Sequence, residues 1–314
     1  MLNKYSTFII SIFTATLLTF SNLNAEVKVV ASIKPIHSLV SYVMDGVGKP
    51  SIIVDGSNSP HNFNLKPSNA KDIENADIIF WVGEDIESFL EKPLKSISKK
   101  AKVIEMMDIK GINKLKFRER NIFEEHEGHD DHGHGKKEKH DDHGHAHGEY
   151  DPHIWLDPHN AEVMVEEIAN QLAAIDPQNA AAYKKNSKNA IDDIEKLIKE
   201  TKKEMKKGIS YIVFHDAYQY FEKEFNVSAL GALTLNTDVA PGAKQISEIK
   251  EIIEHENVKC LFSEPQFNPD IIKSIAKGTN VKVGVLDPLG ANLENGKELY
   301  FKLIKDISSS LKKC

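Results

Sequence analysis

Residues 27–63, VKVVASIKPIHSLVSYVMDGVGKPSIIVDGSNSPHNF, hold the pattern from which the fold can be read. The β-branched run Val27–Ile33 reads as a strand, and Ile36–Val47 reads as a helix. Ser51–Val54 is a second strand, and Gly56-Ser57-Asn58-Ser59-Pro60 is a loop. Strand, helix and strand at this spacing make a βα unit, which requires parallel strands covered by helices.

The unit repeats on the C-terminal side. Ser68 is a candidate N-cap for a helix over Asn69–Asn75. Asp77–Val82 (DIIFWV) reads as a buried strand, Phe89–Ile97 as a helix interrupted by Pro93, and Lys102–Met106 as a fourth strand. Residues 111–152 then lose all periodicity. Pro158–Ile175 is an amphipathic helix, broken by Asp176-Pro177. Gln178–Lys207 is a second helical stretch, closed by Gly208. Thirty helical residues span about 45 Å, a rod able to join two lobes without free swinging. Beyond it come strands at Tyr211–Phe214, Val227–Leu230, Lys259–Phe262 and Val281–Leu286. Helices are expected at Ala217–Phe225, Ala243–Glu256, Asp270–Lys277 and Lys297–Lys312.

The fold expected is therefore α/β, with two lobes of βα units and mostly parallel sheets, joined by a long rigid helix. The lobes are 26–176, containing a disordered His- and acid-rich loop over about 111–150, and 208–314, with the linker at 177–207. One large α/β domain carrying a surface helix is the other arrangement the pattern allows. In open α/β sheets the ligand sits beyond the carboxyl ends of the strands, so the cleft between lobes is the natural site.

Residues 1–25, MLNKYSTFIISIFTATLLTFSNLNA, read as an export signal. Lys4 supplies the positive start, and the uncharged run Phe8–Phe20 is too short to span a bilayer. Cleavage is expected after Ala25, an uncleaved anchor being the alternative. An exported chain occupies a compartment where disulfides form. Cys260 and Cys314 are the chain's two cysteines, readable as a disulfide or as two free thiols.

The chain has 314 residues, net charge −7 and 14 histidines. The balance argues against a nucleic-acid binder, which would show a basic surface. The charge is uneven: residues 124–151 hold ten acids against three lysines, together with eight of the histidines. His126, His129, His132, His134, His140, His143, His145 and His147 lie there among acids and glycines, with almost no apolar surface to fold around. Neutral imidazoles beside carboxylates bind zinc weakly at several places; a solvated spacer is the bland alternative.

Four other residues share one kind of position. His61 lies in the loop after Val54, His153 at the exit of the irregular segment, His215 directly after YIVF, and Asp287 directly after VKVGVL. Three imidazoles meeting in a cleft make a zinc-competent site, with a carboxylate or water fourth. Nitrogen donors suit zinc, copper, nickel and iron. Spacings of 92 and 62 residues carry no local metal signature, and a histidine after a strand is commonly a cap. Glu264 also follows a strand and would orient a ligand. His37 reads as a helix-start residue; His159 and His255 read as surface residues on helices.

The pieces SPHNFNLKPS (59–68), DPHIWLDP (151–158), FHDAYQYFEKEFN (214–226), SEPQFNP (263–269) and LDPLG (286–290) run across nearly the whole mature chain. Together they resemble the periplasmic zinc-uptake solute-binding proteins of metal ABC transporters. The resemblance implies two α/β lobes, a rigid helical linker, Zn²⁺ bound between the lobes, and a membrane permease as partner. It carries His61, His153 and His215 over as ligands. Asp287 matches a position that ligates in some members and stands off in others. Manganese-binding relatives usually place Glu where His215 stands, which favours zinc. Pro60 stands where zinc members of the enteric type often have Glu, so a ligand from that side is lost. Cys260 and Cys314 match a disulfide of Gram-negative zinc members, and zinc members commonly carry a His-rich loop between the first two ligands. We expect a monomer that is not an enzyme. The alternatives are a manganese or iron carrier of the same class, a zinc buffer acting through the His-rich loop, and a hydrolytic zinc enzyme using Glu264 as base. No HExxH motif is present for the last.

Overall fold

A computed structural model of the chain describes residues 26–123, 148–235, 237 and 241–314. The export signal and the eight histidines between His126 and His147 lie outside the described residues. No helix among those described is long and apolar enough to cross a membrane.

Two four-stranded sheets carry the fold, and every pairing within them is parallel. The first contains β1 (Val29–Ile33), β2 (Ser51–Val54), β3 (Ile78–Trp81) and β4 (Lys102–Glu105) in the order β2-β1-β3-β4. The second contains β5 (Tyr211–His215), β6 (Gly231–Thr234), β7 (Cys260–Ser263) and β8 (Lys282–Val285) in the order β6-β5-β7-β8. The same topology is thus built twice. In each, the chain leaves the first strand to one side and returns to the other. That opens a crevice at the carboxyl ends of the two central strands.

The helices follow the apolar periodicity. α1 (Lys34–Val43) is buried on nearly every residue, because β1, β2 and three other helices enclose it. α2 (Pro67–Asn75) and α3 (Glu84–Ser96) follow β2 and β3. α4 (Pro158–Ile175) starts at Asp157, whose side chain accepts from the His159 amide at 2.9 Å, an N-cap with proline at the first helical position. α5 (Ala180–Glu204) buries one stripe: Tyr183, Ser187, Ala190, Ile194, Leu197, Ile198 and Thr201. It is shorter than the stretch read from sequence. Pro177–Asn179 forms a 3₁₀ turn before it, and Met205 turns extended at the run of lysines after it. At 25 residues it spans about 37 Å. α6 (Gln219–Phe225), α7 (Ala243–His255), α8 (Asp270–Ala276) and α9 (Leu299–Lys312) complete the fold.

Strand alternation divides the core. Tyr211 and Val213 point into a large cluster that runs from the first sheet through α1, α4 and α5 and includes Leu303, Ile304 and Ile307 of α9. Ile212 and Phe214 point the other way, to a small cluster with Ile249 and Ile253 of α7 and Ile272 and Ile275 of α8. α9 packs on α1 and α5, elements that precede the second sheet. α9 and the chain before it are fastened across the same boundary. Lys34 Nζ donates to the carbonyls of Ala291 (3.1 Å) and Leu293 (2.7 Å), and Tyr300 OH donates to the Trp155 carbonyl at 2.9 Å. A disulfide joins Cys260, at the start of β7, to Cys314.

Three expectations need correction. Ser68 is not the N-cap of α2: Lys66 holds that position and Pro67 opens the helix. Residues 227–230 are not a strand. Asn226 ends α6 in the left-handed region, the Val227 amide bonds Glu222 O, and the Ala229 amide bonds Glu222 Oε1. Pairing begins at Gly231 instead. Nor is all of 111–150 disordered. Residues 109–123 form a strap, whose far end pairs antiparallel with the edge of β6 through Ile122 and Gly231. The Ala232 amide donates to Asn121 O at 2.8 Å and the Phe123 amide to Leu230 O at 2.9 Å. A side chain at Gly231 would put its Cβ 2.5 Å from Asn121 O, so the strap can approach only a glycine. Arg118 pins the strap by ion pairs to Asp216 (2.6 Å) and Glu222 (2.5 Å) and lies over the Phe123 ring.

Candidate metal centre

Three separate segments deliver three imidazoles. His61 comes from the loop after β2, where its amide donates to Ser59 Oγ at 3.3 Å. His153 precedes the 3₁₀ turn Ile154–Leu156. His215 is the last residue of β5. One nitrogen from each lies within 4.8 Å of the others. His153 Nε2 and His215 Nε2 are 3.3 Å apart. The ring centroids of His61 lie 5.6 Å and 5.7 Å from those of His153 and His215.

Carboxylates hold the backs of two rings. His153 Nδ1 donates to Asp151 Oδ1 at 2.7 Å, and the His153 amide donates to the same oxygen at 2.9 Å. Asp151 is completely buried, and its Oδ2 accepts from Gln219 Nε2 at 2.5 Å. His215 Nδ1 donates to Glu264 Oε1 at 2.7 Å. Glu264 follows β7, the neighbour of β5, so these two carboxyl ends lie side by side. With Nδ1–H given to a carboxylate, Nε2 keeps its lone pair and faces the other imidazole. Two lone pairs converging at this distance need a cation or a proton between them. Two nitrogens on a tetrahedral Zn²⁺, each about 2.0–2.1 Å from the metal, are about 3.3–3.4 Å apart. The spacing fits.

Electrostatics agree with the geometry. Burial alone would push the His215 imidazole down, but the Glu264 carboxylate, with Asp216 and Asp151 behind it, outweighs burial and raises its pKa above 6.5. The site thus favours positive charge on a group whose ring is fully inside the protein.

The three rings line a narrow, half-open pocket together with Ile86, Trp155, Phe267, Pro288 and Leu289. Its inner part, about 10 Å³, admits only small occupants. Trp155 Nε1 donates to Pro288 O at 2.8 Å, tying the walls from the two halves together. A second cavity, of about 220 Å³, is also bordered by His61 and His153, together with Asp85, Arg118 and Asp216. The described chain resumes there after residue 147, where the Gly148 amide donates to Asp85 Oδ1 at 2.7 Å.

The structure brings His61, His153 and His215 together and places Glu264 behind His215. It leaves Asp287 outside the histidine group. Asp287 Oδ1 accepts from the amides of Leu289 and Gly290, both at 3.0 Å, and Oδ2 accepts from the Ala291 amide at 2.6 Å. This carboxylate, two residues beyond β8, is thus engaged in shaping its own loop. Asp151 was not singled out from sequence, although Asp two residues before a histidine, in DPH, is the local signal for it. Gln219 and Arg118 carry no such signal. His37 is buried on α1 with Nε2 3.1 Å from Pro50 O. His159 pairs with Glu162 and Glu224, and His255 is exposed at the end of α7.

Two α/β halves of one topology with a largely buried histidine cluster between them define a metal-binding protein of the periplasmic binding type. Residues 29–314 match the family model described as zinc-uptake complex component A, periplasmic, and the chain belongs to that family. It is 45% identical over 335 residues to the high-affinity zinc uptake system protein ZnuA of Brucella abortus (strain 2308), covering all of this chain and 99% of that protein. Solved structures share the fold. One described as ZnuA has a TM-score of 0.73 at 22% identity, covering 91% of this chain and all of that one. A Mn-bound periplasmic metal binding protein from Candidatus Liberibacter asiaticus has a TM-score of 0.69 at 22% identity, covering 91% and 97%. Likeness at that level shows the fold alone, so the choice of metal rests on the donors.

Proposed function

We propose that this chain is the extracytoplasmic zinc-binding component of an ABC importer, which captures one Zn²⁺ at His61, His153 and His215 and delivers it to a membrane permease. The observation that carries the reading is the pair of Nε2 atoms at 3.3 Å, each ring backed by a buried carboxylate. Three neutral nitrogens in a largely apolar pocket suit Zn²⁺; Mn²⁺ prefers harder oxygen donors. Zinc here is cargo. The carboxylates orient the rings and strengthen their donation to the ion. Glu264 is committed to His215 rather than free to act as a general base, which argues against a hydrolytic role. The same reading places the chain in the periplasm after cleavage near Ala25 and treats it as a monomer. Lobes of 26–176 and 208–314 joined by 177–207 remain the division we propose. The segment 124–148 would collect zinc weakly.

The test is a zinc titration against a competing chelator, with elemental analysis, in a chain lacking 124–147. One tight equivalent of zinc is expected, and His215→Ala should abolish it. Full affinity in that variant would contradict the assignment. Preferential retention of manganese would favour the manganese-carrier reading instead.

A further inference from the structure

Three imidazoles leave one corner of a tetrahedron open. Asp287 cannot reach it without giving up the backbone donors described above. Gln266, in the loop after β7, lines the same cavity. Its Nε2 donates to Asp287 Oδ1 at 2.9 Å, which fixes the two ends of the amide. Its Oε1 is then the remaining acceptor. That atom is buried and has no hydrogen-bond partner among the described residues. A buried carbonyl oxygen without a donor is costly, so the natural occupant of the cavity offers one. The occupant must also be small enough for this narrow pocket and present a lone pair to the ion. Water meets all three conditions.

We propose that Gln266 sets the fourth position of the metal site: its Oε1 accepts a hydrogen bond from one water bound to the ion, while its Nε2 keeps Asp287 turned toward its own loop. The proposal rests on the reading of the three histidines as ligands. It makes release easier than a four-residue site would allow, because three protein bonds must break and the fourth ligand exchanges with solvent.

Gln266→Leu removes the acceptor and Gln266→Glu keeps it, so the pair separates this role from a purely structural one. If Gln266 served only to hold Asp287, Gln266→Glu would be the worse variant, because it loses that donor and faces a second carboxylate. If Oε1 serves the water, Gln266→Glu binds zinc more tightly than Gln266→Leu. In the full chain, with the tightest site read by chelator competition, Gln266→Leu should weaken zinc about tenfold, the scale of one buried hydrogen bond. Gln266→Glu should bind at least as tightly as the unaltered protein. Crystals of the zinc-loaded unaltered chain should show one water about 2.0–2.2 Å from the ion and within about 3 Å of Oε1. These crystals and the Glu variant decide the matter even if Gln266→Leu fails to fold. An unchanged affinity in Gln266→Leu, the reverse ranking, or a fourth protein ligand in place of water would overturn the proposal. Unchanged tight binding in His215→Ala would instead remove the ligand assignment on which it stands.

Discussion

At the scale of single residues, the two buried rings, His153 and His215, are each paired with a fixed carboxylate acceptor. Glu264 gives His215 its orientation and its tautomer through one 2.7 Å bond. Glu264→Gln keeps the shape but removes the negative charge, and zinc affinity should fall about 10–100-fold, as for other partners of metal-bound histidines. A chelator-competition titration measures it. The same contact sets a pH dependence. His215 has its folded pKa raised above 6.5, chiefly by Glu264 working against burial. In the metal-free chain its proton therefore stabilises the fold fully below the unfolded value and less as pH rises through the raised one. Zinc requires that proton to leave. Zinc affinity should decline as pH falls, beginning above pH 6.5 rather than below it. Titration between pH 8 and 5 reads this directly, and a flat profile would argue against imidazole ligation.

At the scale of elements, the strap 109–123 is the part that sequence patterning described least well. It has neither helical nor strand periodicity, yet it is ordered, because its backbone pairs with β6 and Arg118 reaches two buried carboxylates. Arg118→Ala would leave Asp216 and Glu222 buried without their cation. The expected cost is about 3–5 kcal/mol, visible as a lower midpoint in urea denaturation, and a loss well under 1 kcal/mol would show that the pairing is not needed. The strands and long helices were legible because their signals are local: β-branched runs, apolar spacing, and breakers such as Asp176-Pro177. The β6 error arose for the same reason. Val227–Leu230 has strand composition, but the Glu222 side chain and carbonyl capture its amides in a turn.

At the scale of the molecule, the two halves share one large core rather than meeting only through a linker. α9 packs on α1 and α5, and the disulfide returns the end of the chain to β7. The bridged residues are 54 apart, and closing such a loop is worth up to about 4 kcal/mol through the unfolded chain. Reduction, or Cys314→Ser, should lower stability by up to that amount in denaturant titrations. The tight zinc affinity should stay within about twofold, because neither cysteine touches the histidines. A large loss of zinc binding would mean that the C-terminal fastening also sets the site geometry.

The fold class, the two sets of βα units and the candidate histidines followed from the sequence alone, because each depends on neighbours a few residues away. The resemblance of five dispersed pieces then singled out which histidines belong together. Tertiary structure decided what no local pattern could. It closed gaps of 92 and 62 residues into one nitrogen cluster, turned Asp287 to its own loop amides, set Asp151 and Glu264 behind the rings, and laid α9 across the first half. Such choices depend on which strand ends become neighbours after folding, and that is fixed by sheet order and shared burial rather than by spacing along the chain.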